Sequence, residues 1–403
     1  MNRTFLISIL FVFLPFHSIF IANLFPEFKL WKELIVLLII IWSLFAFKIE
    51  KRYLFLVAIL MIACMYSSLT SSRALNSDGL YLLRAYLLPL ILFLCLISSS
   101  FSEKRIEKLY KLYIFIACIS VFYGLYQVHI LGEAFLLDLG LKSGKWSDSQ
   151  LTFAFYVSNF DLQRMNAGFT GPIACSLYLL SAIILLGQIS FSSRYLAGMI
   201  HLILAIGLFS TMLRSTLFVY FLILIVSYIE KNKLSKNFVF AIYGSFIFTT
   251  IVVFLMINGQ IFSLRETFTN LTLISNTINL DASTTGHIIS YIRGFSLLSE
   301  SGLFGFGPGI MGPNFVERGG LNIESSLLAL CLEQGIIGLI LYLILFIYLY
   351  FSSAEKSFCR KLIFSIFLVG LLLPLQYYPE LNYLVFTLLG FHYKNDSRKM
   401  EFR

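Results

Sequence analysis

Apolar runs of about 17 to 22 residues recur along the whole chain, and a helix rising about 1.5 Å per residue needs a run of that length to cross a hydrocarbon layer about 30 Å thick. About twelve candidates read at 4–22, 31–47, 54–69, 80–99, 112–131, 172–190, 195–212, 215–229, 238–258, 326–351, 362–378 and 380–392. The second and the last are short, which leaves them open to tilting, re-entry or merger with a neighbour. With 403 residues, 59% hydrophobic, 13% charged and a mean hydropathy of +0.86, the chain is unlike any soluble globular domain. The expected fold is all-α, a polytopic membrane protein forming one integral membrane domain over 1–403.

A net charge of +9 would suggest nucleic acid in a soluble protein, but here the basic residues sort into short loops as topology signals. With the N-terminus on the cytoplasmic side, alternate connections hold Lys48, Lys51 and Arg52; Lys104, Arg105, Lys108 and Lys111; Arg194; Lys231, Lys233 and Lys236; and Lys356, Arg360 and Lys361. With Arg3 and the basic tail, 19 of the 30 Lys and Arg residues lie on that side, and both termini are expected to be cytoplasmic. Arg3 precedes an apolar run, but no small-x-small cleavage site follows His17, so the run reads as an uncleaved first span and not a signal peptide. The six cysteines show no CxxC spacing and read as small hydrophobes.

Every cytoplasmic loop on this reading is short, whereas two external loops, about 132–171 and 259–325, are long. The first carries Trp146, Phe153, Phe155 and Tyr156, and neither is charged enough to be disordered, so both are expected to fold over the helices as partly helical caps. The stretch from Arg293 to Gly338, a Gly- and Pro-rich loop running into a long apolar helix, is where such a protein meets water and substrate.

Arginine is expensive at membrane depth, about 2.5 to 3.5 kcal/mol at least, so arginines there snorkel, pair or serve a substrate. Arg84 lies inside a span in YLLRAYLLPL; it either snorkels beside Asp78 or reaches a substrate. Arg214 occupies a tight turn in FSTMLRSTLFVYF on the side that should be poor in cations, which points to an anion there or to a plain turn arginine. Arg164 precedes a Gly-Phe-Thr-Gly-Pro turn, and Pro172 suits a first helical turn whose free N–H groups favour anions. His287 and Arg293 stand at i and i+6 in HIISYIR and do not share a helical face, while Arg265 and Arg318 read as loop-surface charges. Arginines converging on one external pocket suit a pyrophosphate, whose oxygens accept bidentate guanidinium forks.

RMNAGFTGP before a span, TMLRSTLFV between two spans, the LFGFGPG turn after Arg293 and ESSLLALCLEQGIIGLILYLILF together resemble the O-antigen polymerase and O-antigen ligase superfamily of bacterial integral-membrane glycosyltransferases. The resemblance covers roughly the second half of the chain. It implies a GT-C-like architecture in the bacterial cytoplasmic (inner) membrane and metal-independent glycosyl transfer on its outer face. The implied donor and acceptor are glycans on undecaprenyl pyrophosphate, with membrane lipid and optionally a chain-length regulator protein as further partners. Arg164, Arg214 and Arg293 would lie near the pyrophosphate. Ligases open the ESSLLALCLEQG stretch with His-Asn, where this chain has Glu324 and Ser325, so the polymerase branch fits better.

Transfer from a lipid pyrophosphate needs fixed cations for a leaving group already charged, and a carboxylate to take the proton of the attacking hydroxyl. Glu324, at a loop-to-helix junction, is the candidate base, with a helix-start carboxylate favoured by the dipole as the alternative. Glu333, nine residues on and about 13 Å deeper, would bind substrate, pair with a buried arginine or hold a helix bend. Catalytic roles are thus expected of Glu324, Arg214 and Arg293, and substrate binding of Arg84, Arg164, His287 and Glu333. No nucleotide-sugar motif, DxD pair or cofactor signature is apparent. A ligase is the alternative within the same chemistry, and a lipid-linked oligosaccharide flippase or other transporter is the alternative of another class.

Overall fold

In the computed structural model the described residues are 3–17, 26–28, 30–44, 51–70, 77–98, 101–132, 135, 156–157, 162–169, 171–189, 191, 193–231, 282–309, 323–352, 357–375 and 378–400. Among them are twelve α-helices: α1 (Arg3–Phe13), α2 (Trp31–Leu44), α3 (Lys51–Thr70), α4 (Ser77–Ser98), α5 (Glu103–Tyr126), α6 (Pro172–Leu186), α7 (Arg194–Ser210), α8 (Arg214–Lys231), α9 (Ala282–Ser301), α10 (Ser326–Ser352), α11 (Ser357–Leu372) and α12 (Pro379–Met400). The expected span at 238–258 lies outside the described residues. Of the two long loops, 259–325 carries the helix α9, as a partly helical cap should. Most of 132–171 lies outside the described residues; the described part includes helical residues at 132 and 135 and a two-residue antiparallel ladder, β1 (Tyr156–Val157) against β2 (Leu162–Gln163).

Helix α6 stands at the centre, packed against α5, α7, α8, α11 and α12, with every residue but Ile173 buried. A helix apolar on all sides has to be enclosed in this way. Its two interior serines are satisfied locally: Ser181 donates to the Tyr178 carbonyl at 2.7 Å and meets the Tyr113 hydroxyl at 2.6 Å, while Ser176 meets Thr216 at 3.0 Å. Around this centre α12 lies along α4, α2 also packs on α4, α1 on α5, α3 and α9 on α10, and α11 on α10.

The outward faces invert the soluble pattern. Phe115, Ile119, Phe122, Tyr126 and Ile130 line the exposed side of α5 and its extension, and Ile336, Ile340, Ile344, Ile347 and Phe351 that of α10. Contiguous apolar stripes of this kind mark contact with membrane or protein. Glu103–Leu131 and Ser326–Ser352 are long and apolar enough to cross a membrane.

The bundle has two chemically distinct ends. At one, Arg3 donates to the Trp42 carbonyl at 3.3 Å and Lys361 pairs with Glu230 at 2.8 Å, so α1 starts where α2 ends and α8 ends where α11 starts. At the other, Gly168 lies against Pro15 and Phe16 just after α1, and Ser326 at the start of α10 bonds to Leu373 just after α11. Arg3 and Lys361, both assigned by sequence to the cytoplasmic side, thus lie at the end away from the Gly-rich motifs.

Candidate active site

The segments RMNAGFTGP and TMLRST meet directly: the Met165 N–H donates to the Ser210 carbonyl at 2.9 Å. Both bend sharply at the contact. Ala167 (φ 49°) and Met212 (φ 52°) are the two non-glycine residues with positive φ among the described residues, a conformation that costs an L-residue about 1–2 kcal/mol. Gly168 lets the first bend close, because a Cβ there would stand 2.1 Å from the Pro15 carbonyl oxygen. The turn is closed by Phe169 N–H to the Asn166 carbonyl at 3.0 Å and Asn166 Nδ2 to the Phe169 carbonyl at 3.4 Å. Helix α6 follows with Gly171 as its N-cap and Pro172 in the first turn, and no side chain caps it. Arg164 is half-buried beside this turn, and Arg214 is exposed as the first residue of α8. A cation at a helix start faces the unfavourable end of the dipole, so helix stability does not account for Arg214.

Glu324 stands two residues before α10, half-buried. Capping falls to its neighbour: Ser325 Oγ accepts the Leu328 N–H at 3.3 Å and the Ser325 carbonyl accepts the Ala329 N–H at 2.9 Å. The Ser325 hydroxyl thus supplies a side-chain cap at this helix start, one residue after Glu324. The Glu324 backbone N–H donates to Ser290 Oγ of α9 at 2.8 Å. Next to it, Tyr291 donates to the Leu371 carbonyl; burial pushes its hydroxyl up to about 12, opposed by a bond with Ser325 and reinforced by the Glu324 charge. Ser326 ties the helix start to the end of α11, donating to the Leu373 carbonyl at 2.7 Å and accepting the Leu375 N–H at 2.6 Å. Gly294 of α9 packs closely on Leu328, where a Cβ would come within 2.4 Å of Leu328 Cδ2.

Sequence presents 326–351 as one span, but α10 is broken at Gly335, with φ 72° and ψ −179°. The turn after α9 fills the break. Phe306 N–H donates to the Leu332 carbonyl at 2.8 Å, Gly307 N–H to the Glu333 carbonyl at 2.9 Å, and Ile337 N–H to the Leu303 carbonyl at 3.3 Å, replacing the helical bonds lost at the break. Irregular backbone at such depth persists where protein satisfies its polar groups. The fully buried Glu333 closes the assembly: Tyr86 donates to its Oε2 at 3.1 Å and Gly309 N–H to its Oε1 at 3.1 Å. Ser67 donates to its carbonyl at 2.7 Å, and Cys64 donates to Gln334 Oε1 at 3.0 Å. This geometry has Glu333 holding the bend, one of the roles expected of it.

The other expected site residues lie on α4 and α9. Arg84 lies on α4 and His287 on α9, with side chains outside the described residues; Arg293 is exposed on α9. Since α9 is continuous from Ala282 to Ser301, His287 and Arg293 stand about 120° apart around it, as their spacing requires. Arg265 and Arg318 lie outside the described residues. Sequence reasoning missed Ser67, Tyr86, Ser290 and Tyr291, and took Cys64 for a plain hydrophobe. It also missed the buried pair of Lys32 and Glu380 at 3.5 Å. The one available signal was Lys32-Glu33 opening an apolar run. An apolar cavity between α4, α6, α10, α11 and α12 reaches from Tyr86 to Ser326 past Leu330, Tyr342 and Phe386. Among the described residues no group of three or more His, Cys, Asp or Glu side chains is placed to hold a metal. Neither known family profiles nor curated proteins yield a match to this chain.

Proposed function

We propose that the chain is an integral-membrane glycosyltransferase that polymerises oligosaccharide repeat units carried on undecaprenyl pyrophosphate at the outer face of the bacterial cytoplasmic membrane, for O-antigen or capsule. The observation that carries this reading is that the motifs bearing Arg164, Arg214 and Glu324 gather at one end of the helical bundle, opposite Arg3 and Lys361. The apolar stripes on α5 and α10 suit helices set in lipid. In the reaction, the bond between the anomeric carbon of the growing glycan and the pyrophosphate oxygen breaks. A hydroxyl of the incoming repeat forms the new bond, and Glu324 takes its proton. Arg164, Arg214 and Arg293 hold the departing lipid pyrophosphate by guanidinium forks, fixed charges aimed at the leaving group. No cofactor or metal enters this scheme.

The test is deletion of the protein in its host, followed by analysis of surface glycan. Loss of a polymerase leaves single unpolymerised repeats at the surface, whereas loss of a ligase strands polymer on the lipid carrier. Unchanged long chains at the surface would refute the polymerase reading. A second reading, a transporter or flippase of lipid-linked oligosaccharide, is favoured by one observation: the helix broken at Gly335 beside the buried Glu333 is the kind of discontinuous helix that builds transport sites. Its loss would trap single repeats on the cytoplasmic leaflet, out of reach of surface probes.

A further inference from the structure

The break at Gly335 divides α10 into a nine-residue half-helix, Ser326–Gln334, and a long apolar half that begins at Ile336. The short half carries Glu324 just before its first turn, and it is anchored separately from the long half. Its N-terminal end is tied to Leu373 and Leu375 through Ser326, and to α9 through the Ser290 bond to Glu324. At its C-terminal end the carbonyls of Leu332 and Glu333 are held by the turn after α9, and the Glu333 carboxylate links Gly309 of that turn to Tyr86 of α4. One oxygen serves each donor, so the side chain acts as a two-sided clasp.

Steric fit makes the clasp specific. A Cβ at Gly305 would lie 2.4 Å from the Gly335 nitrogen and 2.5 Å from the Glu333 carbonyl oxygen, so the turn docks backbone to backbone with no side chain between. Next to the break, Cys64 is buried, 1% exposed, and bonded to Gln334. Lifting the turn would uncover the carbonyls at the break, which water would then have to satisfy, and would open the way to the Cys64 thiol.

We infer that Glu333 is a positioning residue: by clasping the turn Gly302–Gly309 onto the break in α10, it fixes the half-helix that presents Glu324 to the reacting sugar. The activity arm of this inference rests on the proposed glycosyl transfer; the docking of the turn does not. A glutamine at 333 keeps an oxygen for the Gly309 N–H and an amide for the Tyr86 hydroxyl, so it can close the clasp without charge. A substrate-binding or proton-transferring carboxylate tolerates no such replacement.

The experiment uses the full-length protein with Cys64 as its single cysteine, in membranes, and measures alkylation of Cys64 by a water-soluble maleimide beside polymerisation of lipid-linked repeats. Glu333→Ala should speed labelling at least about tenfold, because a buried thiol gains access only when the turn lifts. It should lower kcat by about 10²-fold with KM little changed, the cost of misplacing a reacting group by about an ångström. Glu333→Gln should stay within about threefold of the parent in both readouts, since the clasp keeps its hydrogen bonds. Tyr86→Phe should fall between them. If Glu333→Ala fails to accumulate, the comparison of Glu333→Gln with Tyr86→Phe carries the test. Cys64 protected in both Glu333→Ala and Tyr86→Phe would overturn the clasp whether or not the protein polymerises anything. Loss of activity in Glu333→Gln with Cys64 still protected would instead give the carboxylate a direct role in the chemistry.

Discussion

Replacing Gly335 by Ala strikes the point where the turn and the broken helix meet, and its cost follows from the geometry. The added Cβ would lie 2.0 Å from the Leu303 carbonyl oxygen, 2.3 Å from its carbon and 2.5 Å from the Phe304 nitrogen. All three are backbone atoms, so no side chain can turn aside; the turn must move. Displacing it endangers the bonds from Phe306 to Leu332, Gly307 to Glu333 and Ile337 to Leu303, each contributing about 1 kcal/mol net. The backbone at φ 72°, ψ −179° adds about 1–3 kcal/mol for any residue with a Cβ. The sum, about 4–6 kcal/mol, is comparable to the whole stability of a typical domain, about 5–15 kcal/mol. Gly302 separates the two contributions: it too has positive φ, 63°, but nothing lies within 4 Å of its added Cβ. Gly302→Ala should therefore cost only about 1–2 kcal/mol. The assay is the midpoint of thermal aggregation of detergent-purified protein, with yield of monodisperse material as a second measure. A midpoint for Gly335→Ala equal to that of Gly302→Ala would show that the turn is not seated in the break.

Exchange of Arg164, Arg214 or Arg293 for Lys keeps the charge but loses the fork, so polymerisation should fall nearly as far as with Ala at the same position; full activity of the double Lys variant at 214 and 293 would rule out fork geometry. Glu324→Gln keeps size and hydrogen bonding but cannot accept the proton, and should cost on the order of 10²-fold or more in polymerisation rate at normal expression. An active Glu324→Gln protein would remove the base from the scheme. The contrast with Glu333→Gln, expected to remain active, distinguishes two carboxylates nine residues apart.

Local chemistry made much of the fold legible. Among the described residues, runs of apolar residues mark helices, and Pro172 opens α6 at the position its missing N–H favours. Ser325 caps α10 as serine does, and α1 and α2 run in opposite directions, with Arg3 at the start of one bonded to Trp42 near the end of the other. The motifs around Arg164 and Arg214 stood out by residue type, because glycines, a proline and arginines interrupt an otherwise apolar sequence there. Glu324 could be placed at a helix junction for the same reason.

Which faces meet was not readable. In α5 and α10 both the buried and the exposed sides are apolar, so hydrophobic periodicity, which orients a helix in a soluble protein, carries little information about which side packs. A bend near Glu333 was one reading of the sequence, but the break at Gly335 was not fixed by it, since a glycine in a long apolar run is compatible with an unbroken helix. It exists because a turn from outside the helix supplies the missing hydrogen bonds and because Gly305 leaves room for the two backbones to touch. The same holds for Tyr86 with Glu333 and for Lys32 with Glu380, partners 247 and 348 residues apart in sequence. Sequence determined that this chain is a set of apolar helices with a few polar interruptions. Tertiary structure decided which interruptions meet, because a buried carboxylate or a broken helix end is stable only where another segment arrives to satisfy it.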